Sequence, residues 1–280
     1  MARGTLWDGS HYIGETWAVA TSYPNFEGKH GEDAFFNPDD FVAYLRRNGG
    51  LDGYEPPRSI IMCYQRQLFE FIMAVENAER PNLAATYRGL VTLPDTQAQV
   101  AVLGDFGIGA PVAAAVLEEF IALGTRRFFS IGTAGSLQRD LPIGHTVLCD
   151  RAIRDEGVSH HYLPSATYAA AEPGITAAFE AELQSKQIEY RRGSSWTIDT
   201  PYRETVAEAR HYQQQGVLCV EMEAAALFAV AEYRQAAVAA AFVISDSLAD
   251  LVWDPQFHSD ETATALLRLY EATRAVAAAP

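Results

Sequence analysis

Two glutamates, Glu221 and Glu223, lie one residue apart in VEMEAAA (220–226), between two apolar runs. Residues two apart on an extended chain point to the same face, so both carboxylates would face together where a strand becomes a helix. One of them could cap the helix, which is worth roughly 0.3–1 kcal/mol. The other needs a partner, because an unpaired buried carboxylate is very costly. A ligand with two adjacent hydroxyls, such as a ribose, would supply one. The pattern leaves a structural network and ribose binding open.

A third acid, Asp246, stands in SDS at the end of another apolar run. Serine and aspartate favour helix N-caps, which is one interpretation. The other is a general acid whose pKa is raised by burial. Trp196, in RRGSSWTIDTPY, is either part of the core or a flat surface on which a heterocycle stacks.

Two glycine-containing segments, FGIG (106–109) and GTAGS (132–136), also follow apolar runs directly. We interpret both as turns, because glycine lets the main chain approach a ligand and successive N–H groups can cradle an anion. Neither segment completes GxGxxG, so a dinucleotide-binding fold has little support.

Apolar runs alternate with helical segments from Arg58 onward, which predicts an α/β domain whose sheet is covered on both faces. The helix at 110–124 has Pro111 in its first turn and Gly124 at its end, and the helix at 223–235 is apolar nearly all round. Ligands of such sheets bind at the carboxyl ends of the strands. The strands are predicted at 59–64, 100–105, 126–131, 145–153, 217–222 and 238–244. We therefore expect FGIG, GTAG, EME and SDS to form one pocket.

Residues 1–57 differ in composition from the rest and contain one predicted helix, at 38–48. Their apolar content is too thin for a core of their own. We expect an N-terminal arm that wraps the body or a neighbouring subunit, and a single α/β domain over residues 58–280.

The charge of the chain limits its partners: 36 acidic against 21 basic residues give a formal net charge of −15. Nucleic-acid polymers and anionic membranes both require a basic face, so neither is expected as the main partner. The three cysteines have no metal-ligand spacing, and we expect buried free thiols and no metal site. No secretory leader or membrane-spanning run is recognised, which favours a soluble, cytoplasmic protein.

The order of the motifs resembles that of the nucleoside phosphorylase-I superfamily. GIGAPVAAAVLEEFIALGTRRFFSIGTAGSLQ (107–138) is similar to the family's phosphate-binding segment, and VEMEAAALFAVA (220–231) to its ribose-binding signature. The resemblance runs from about Ser59 and implies a mixed central sheet flanked by helices, in a three-layer sandwich. It also implies phosphorolysis of the N-glycosidic bond of a nucleoside, with inorganic phosphate as co-substrate and no other cofactor. A homo-oligomer is expected as well, based on dimers and up to a hexamer in size.

The resemblance assigns roles position by position. Asp246 matches the acid that protonates purine N7; uridine phosphorylases lack an acid there, so a purine base is expected. The other implied residues are Glu223, Met222 and Glu221 for ribose; Trp196, Ser245 and Thr197 for the base; and Gly107, Gly132, Thr133, Arg66 and Arg88 for phosphate, with Arg88 supplied by the adjacent subunit.

Some positions depart from the family pattern, and two further functions stay open. Ser130 stands where phosphorylases usually carry an arginine, and His258 is the nearest polar residue to the place of another. Ser130 favours a hydrolytic nucleosidase. Arg66 counts against one, because it occupies the region of the hydrolases' carboxylate base and an arginine cannot be a base. A non-catalytic nucleoside-binding protein is the third reading, although both Glu223 and Asp246 are retained.

Overall fold

The computed structural model describes residues 23–24, 26, 28–81 and 89–279. Within them the chain forms ten strands and seven α-helices. The strands are β1 Ser59–Cys63, β2 Leu90–Thr92, β3 Val100–Leu103, β4 Arg127–Ser136, β5 Thr146–Asp155, β6 Tyr168–Ala170, β7 Tyr190–Ile198, β8 Cys219–Glu221, β9 Ala237–Ser247 and β10 Asp254–Pro255. The helices are α1 Pro38–Arg47, α2 Arg66–Val75, α3 Ala110–Leu123, α4 Pro173–Ser185, α5 Val206–Gln214, α6 Ala224–Arg234 and α7 Asp260–Ala278.

The strands form one mixed sheet in the order β10-β9-β5-β7-β8-β4-β1-β3-β2, with β6 paired to β5. Strand β4 runs parallel to both β1 and β9 and antiparallel to β8. Its pairing with β9 closes β4, β9, β5, β7 and β8 into a ring, from which β1, β3 and β2 extend. The predicted mixed α/β sheet is confirmed, whereas its closure into a ring was not predicted.

Helices cover both faces of the sheet because the strands carry apolar side chains on alternating faces. Ile60 and Met62 of β1 belong to a core cluster that includes residues of α1, α3 and α6. Ile61 and Cys63 belong to a second cluster, which includes residues of α2, α4 and α7. Helix α6 is buried over most of its length, as its apolar composition predicts.

Local signals locate most of these elements. Helix α3 begins beside Pro111 and ends at Gly124, whose φ of 123° lies in the region that favours glycine. The helix predicted at 38–48 is α1, with Val42 buried in the first core cluster. The part of the predicted arm at residues 1–22 lies outside the described residues.

Two local interpretations are wrong. GTAGS is not a turn: it continues β4, where its residues pair with β9 and β8. SDS is not a helix N-cap either. It completes β9, and Asp246 and Ser247 pair with the short strand β10, while the next helix begins only at Asp260. In both cases strand pairing satisfies the backbone groups that a turn or a cap would have served.

Candidate active site

A cavity of about 520 Å³ lies where β4, β8 and β9 meet. Four carboxylic acids line it: Glu204, Glu221, Glu223 and Asp246. The remaining lining residues are Tyr64, Gln65, Ile108, Gly132, Thr133, Ala134, Gly135, Pro201, Tyr202, Val220, Met222, Phe242, Ser245, Leu248, Trp253 and Phe257. The predicted meeting of FGIG, GTAG, EME and SDS at one pocket is found here, with Ile108 contributed by FGIG.

Glu221 ends β8 and is held by four hydrogen bonds. Its Oε2 accepts the backbone N–H groups of Glu223 and Ala224, both at 2.7 Å, in front of α6. Its Oε1 accepts the hydroxyl of Ser195 at 3.0 Å and that of Thr197. Burial raises the pKa of Glu221, and these four bonds oppose that effect. Its acceptor sites are thus taken up by the protein, which makes it the capping acid of the pair.

Glu223 keeps most of its hydrogen-bonding capacity. Its Oε1 accepts the N–H of Gly109 at 2.5 Å, and Gly109 has a φ of 97° that glycine adopts without strain. Burial first, and the Glu221 charge second, raise the pKa of Glu223 to about 8. A carboxyl group in this state ionises readily when a ligand brings hydroxyl donors, since such bonds favour the charged form.

Asp246 enters the cavity from β9 with both carboxyl oxygens oriented. Oδ1 accepts the hydroxyl of Ser245 at 2.9 Å, and Oδ2 accepts the indole N–H of Trp253 at 3.0 Å. Burial raises the pKa of Asp246, while these two bonds lower it. The residue is 8% exposed and can therefore hold a proton inside the cavity.

The glycine of GTAG nearest Asp246 is required for close packing. A Cβ on Gly135 would lie 2.7 Å from Cδ1 of Leu248 and 3.0 Å from Oδ2 of Asp246. A side chain there would have to displace the Leu248 side chain and would crowd the carboxylate of Asp246. The glycine serves the position of Asp246, in addition to any contact between the backbone and a ligand.

The family model described as the Phosphorylase superfamily matches residues 67–278. The chain belongs to the phosphorylase superfamily. The resemblance in its motifs is therefore confirmed.

The curated relatives of this phosphorylase-superfamily chain carry several substrate names. It is 31% identical to a uridine phosphorylase of Treponema pallidum over 192 residues, 64% of this chain and 72% of the relative. It is 31% identical to a uridine phosphorylase of Haemophilus influenzae over 144 residues, 46% of this chain and 57% of the relative. A guanosine phosphorylase of Halorubrum lacusprofundi is 34% identical over 127 residues, 45% of this chain and 52% of the relative. The chain thus spans little more than half the length of the latter two.

Solved structures confirm the phosphorylase fold. The purine nucleoside phosphorylase of Toxoplasma gondii, in complex with immucillin-H, superposes with a TM-score of 0.68 at 19% identity, over 80% of this chain and 91% of that one. A uridine phosphorylase of Vibrio fischeri gives a TM-score of 0.60 at 21% identity, over 80% and 90% of the two chains.

Two residues expected at the base do not reach the cavity. Trp196 is fully buried in a core cluster with Val217 and Val220, and its indole N–H donates to Asp155 at 2.9 Å. No ring face is left for stacking, so the base-stacking role of Trp196 does not fit this structure. Thr197 is likewise fully buried and bonds Glu221, so it supports that acid and does not contact a base. The third residue, Ser245, does line the cavity.

The phosphate residues implied by the phosphorylase family are only partly assembled. Gly132 and Thr133 line the cavity, and the Thr133 hydroxyl accepts Nε2 of Gln65 at 3.0 Å. Gly107 is outside the lining, where only its neighbour Ile108 appears. Arg66 is exposed, pairs with Glu70 at 2.8 Å and borders an adjoining cavity of about 620 Å³ together with His258. Arg88 lies outside the described residues.

The position that usually carries an arginine in the family is closed to solvent. Ser130 is fully buried, and its hydroxyl lies 3.2 Å from the hydroxyl of Tyr64. Among the described residues, no lysine, arginine or histidine lines the main cavity. A dianion bound there would depend on Thr133, on backbone N–H groups and on cations from outside this lining.

Several lining residues were not predicted from the sequence as site residues, among them Gln65, Tyr202, Glu204 and Trp253. Trp253 reaches Asp246 because β10 folds back onto the end of β9. A strand of two residues is too short to be predicted from the sequence. A signal did exist for Tyr202 and Glu204. DTPYRET follows β7 directly, and the segment after a strand is where ligands of α/β sheets bind.

The described residues contain neither a cluster of metal ligands nor a membrane-spanning helix. No group of three or more His, Cys, Asp or Glu side chains among the described residues is arranged to hold a metal ion. No helix in the described ranges is long and apolar enough to cross a bilayer. The cysteines Cys63, Cys149 and Cys219 are buried free thiols.

Proposed function

We propose that the protein catalyses phosphorolysis of the N-glycosidic bond of a purine nucleoside, giving ribose 1-phosphate and the free base. The observation that carries the proposal is the placement of Glu223 and Asp246 in one cavity of a phosphorylase-superfamily chain. Relatives named uridine, guanosine and purine nucleoside phosphorylase support the reaction type. The acid at Asp246 supports the choice of a purine.

Glu223 binds the sugar in this proposal. The diol of the ribose donates to the carboxylate, whose Oε1 is already fixed by the N–H of Gly109. Hydrogen bonds to a charged group are worth roughly 1.5–3 kcal/mol each. The negative charge also stabilises the oxocarbenium character that develops at the sugar as the glycosidic bond breaks. Met222 lines the same cavity and supplies an apolar surface.

Asp246 acts as the general acid. Its protonated carboxyl donates to N7 of the purine, the bonding electron pair of C1′–N9 passes to the base, and an oxygen of phosphate forms the new bond to C1′. Burial keeps the proton on Asp246 to higher pH than usual, since it raises the pKa. General acid catalysis of this kind contributes about 10²–10⁴-fold to the rate. No metal or organic cofactor takes part in these steps.

The phosphate would lie beside Thr133 and Gly132, and it requires positive charge that the described lining lacks. Arg66 is within the adjoining cavity, which shares Gln65 and Thr133 with the main one. We propose that Arg88 of a second copy completes the site, and hence that the protein works as a homo-oligomer. A dianion far from any cation would be poorly held.

The residues that line the cavity also favour a second function, hydrolysis by water. Four carboxylic acids and a buried Ser130 suit a neutral nucleophile better than a dianion, so hydrolysis by water is the second candidate. A non-catalytic nucleoside-binding protein is the third, and it has no observation of its own in its favour.

Turnover with and without phosphate separates these functions. Inosine, guanosine, adenosine and uridine are incubated with the protein in phosphate-free buffer and in buffer with phosphate, and the base and sugar products are separated by chromatography. The proposal expects ribose 1-phosphate, a strict phosphate requirement and faster turnover of purine nucleosides. Equal rates without phosphate would establish the hydrolase instead. Binding of nucleosides without any product would establish the binding protein, and preferred turnover of uridine would refute the purine assignment.

A further inference from the structure

We infer that Trp253 is a positioning residue for the proton transfer from Asp246. Its indole N–H keeps Oδ2 of Asp246 as an acceptor, so that the transferable proton is held on Oδ1, and it stabilises the carboxylate that remains after the transfer. The inference rests on the proposed function, because it concerns the acid step in the same cavity. Trp253 would act through Asp246 and not through a contact of its own with the reacting atoms.

The first observation is the orientation of the indole. Trp253 is 61% exposed, yet its ring nitrogen points inward and donates to Oδ2 of Asp246 at 3.0 Å. Burial of apolar surface alone would favour the opposite arrangement, with the rings inside and the N–H group in water. The hydrogen bond to Asp246 is therefore what sets the direction of this side chain.

The second observation is that the hairpin which carries Trp253 is held by its main chain. Strand β10 pairs with the end of β9. The N–H of Gln256 donates to the carbonyl of Ser245 at 2.9 Å, and the N–H of Leu251 donates to the carbonyl of Leu248 at 2.8 Å. The hairpin thus has its own hydrogen bonds, and the indole N–H is left for a task in the cavity.

The third observation is the difference between the two donors to Asp246. An indole nitrogen can only donate, whereas the hydroxyl of Ser245, 2.9 Å from Oδ1, can donate or accept. Oδ2 must therefore remain an acceptor, while the hydroxyl of Ser245 can rotate when Oδ1 carries the proton. In the acid step the Oδ1–H bond breaks and the N7–H bond of the base forms. The electron pair of C1′–N9 passes to the base, and Asp246 is left as a carboxylate.

The bond from Trp253 becomes stronger during this step. A hydrogen bond to an ionised acceptor is roughly twice as strong as one to a neutral acceptor. The indole N–H therefore stabilises the transition state, in which Asp246 is losing its proton, more than it stabilises the ground state. Among the described residues, no lysine, arginine or histidine lines this cavity, so the donors that assist Asp246 here are neutral.

The test compares two substrates that differ in their need for the proton. Guanosine has to be protonated at N7, whereas 7-methylguanosine already carries a methyl group and a positive charge there. The variant Trp253→Phe removes the N–H group and keeps an aromatic ring beside Phe257, whose ring centroid lies 6.1 Å away. We expect its kcat/KM for guanosine to fall about 5- to 30-fold. Its kcat/KM for 7-methylguanosine should stay within about threefold.

The pH dependence should change in a defined direction. Burial raises the pKa of Asp246, and the bonds from Ser245 and Trp253 lower it. Without the indole N–H the acid stays protonated to higher pH, so the alkaline limb of kcat/KM for guanosine should move upward by about half to one pH unit. Other titratable side chains line the cavity or interact with the charge of Asp246, namely Tyr64, Tyr202, Glu204, Cys219, Glu221 and Glu223. They are present in both proteins, so the difference between the two profiles reports Asp246.

The matched control is Trp196→Phe. It also removes an indole N–H from an aspartate, Asp155, but outside the cavity. Its ratio of guanosine to 7-methylguanosine turnover and its pH profile should equal those of the unmodified protein. Equal losses for both substrates in Trp253→Phe would overturn the inference, and so would an unchanged kcat/KM for guanosine or an alkaline limb that does not move.

Infrared spectroscopy keeps the test independent of catalysis. The spectrum of the unmodified protein minus that of Asp246→Asn contains the C=O band of protonated Asp246, and its loss with rising pH gives a midpoint without any substrate. If no nucleoside is turned over, the proposed function fails; in that case, or if 7-methylguanosine alone is not a substrate, the midpoints decide on Trp253. A higher midpoint in Trp253→Phe supports the inference, and equal midpoints refute it.

Discussion

Replacing Glu223 by glutamine should stabilise the unliganded protein while it weakens sugar binding. The reason is the cost of ionising this side chain in the cavity, which is expressed in a pKa raised from an ordinary value of 4.5 to about 8. Between these two values the unfolded chain has lost the proton and the folded chain has kept it. The free energy of unfolding of the unmodified protein therefore falls as the pH rises through this interval.

The size of the effect follows from the same two values. Compared with a carboxyl of ordinary pKa, the raised pKa of Glu223 lowers the free energy of unfolding by about 2 kcal/mol at pH 6 and by about 4 kcal/mol at pH 8. Glutamine has no such penalty and keeps an amide oxygen for the N–H of Gly109. The stability of Glu223→Gln relative to the unmodified protein should therefore increase by about 2 kcal/mol from pH 6 to pH 8.

The assay is urea unfolding at pH 6, 7 and 8 without ligand, at one protein concentration so that subunit association contributes equally. Asp250→Asn is the control, because Asp250 forms an exposed pair with Arg139; its effect should stay below about 1 kcal/mol at every pH. The reasoning would be refuted if the difference in unfolding free energy between Glu223→Gln and the unmodified protein were equal at pH 6 and pH 8. It would also be refuted if the unmodified protein were more stable than the variant at pH 8. In the same variant, kcat/KM should fall about 100-fold or more through loss of the charged acceptor for the diol.

Three further outcomes are expected. Asp246→Asn should lower single-turnover rates by about 10²–10⁴-fold, measured by rapid quench, while nucleoside affinity in calorimetry changes less than about tenfold; equal losses of both would contradict the general-acid role. Glu221→Ala leaves four donors unpaired in a buried place, and should lower the free energy of unfolding by roughly 4 kcal/mol in urea titrations, with a smaller loss speaking against its capping role. Trp196→Phe loses the hydrogen bond to Asp155 and should lower the free energy of unfolding by roughly 1–3 kcal/mol at unchanged KM. A tenfold higher KM would instead indicate that Trp196 contacts the base.

The sequence predicted what short-range patterns encode. The alternation of apolar runs with helical segments located the strands, and Pro111 and Gly124 located the ends of α3. The motifs placed Glu223 and Asp246 at one site. It could not rank the two glutamates of VEMEAAA by spacing alone. That distinction depends on hydroxyls of Ser195 and Thr197, which reach Glu221 from a strand that is remote in sequence.

The errors share a physical origin. The family resemblance implied that Trp196 contacts the base, whereas its residue type left core packing open. Along β7 alternate side chains face opposite sides, and this one lies in a core cluster. GTAGS was interpreted as a turn, and a helix N-cap was one of two interpretations of SDS, because their residue types favour these structures. Ladder hydrogen bonds with partners about 100 residues away overrode those preferences.

The closed ring of strands has a consequence for the order in which the protein is made. Strand β4 spans residues 127–136, but its partner β9 spans residues 237–247. During synthesis one edge of β4 therefore stays open until about 100 further residues have left the ribosome. Pairings of such long range are intrinsically slow to form. Pauses or truncations before β9 should expose an apolar strand edge, and chaperones that recognise such edges are expected to be needed at that stage of synthesis.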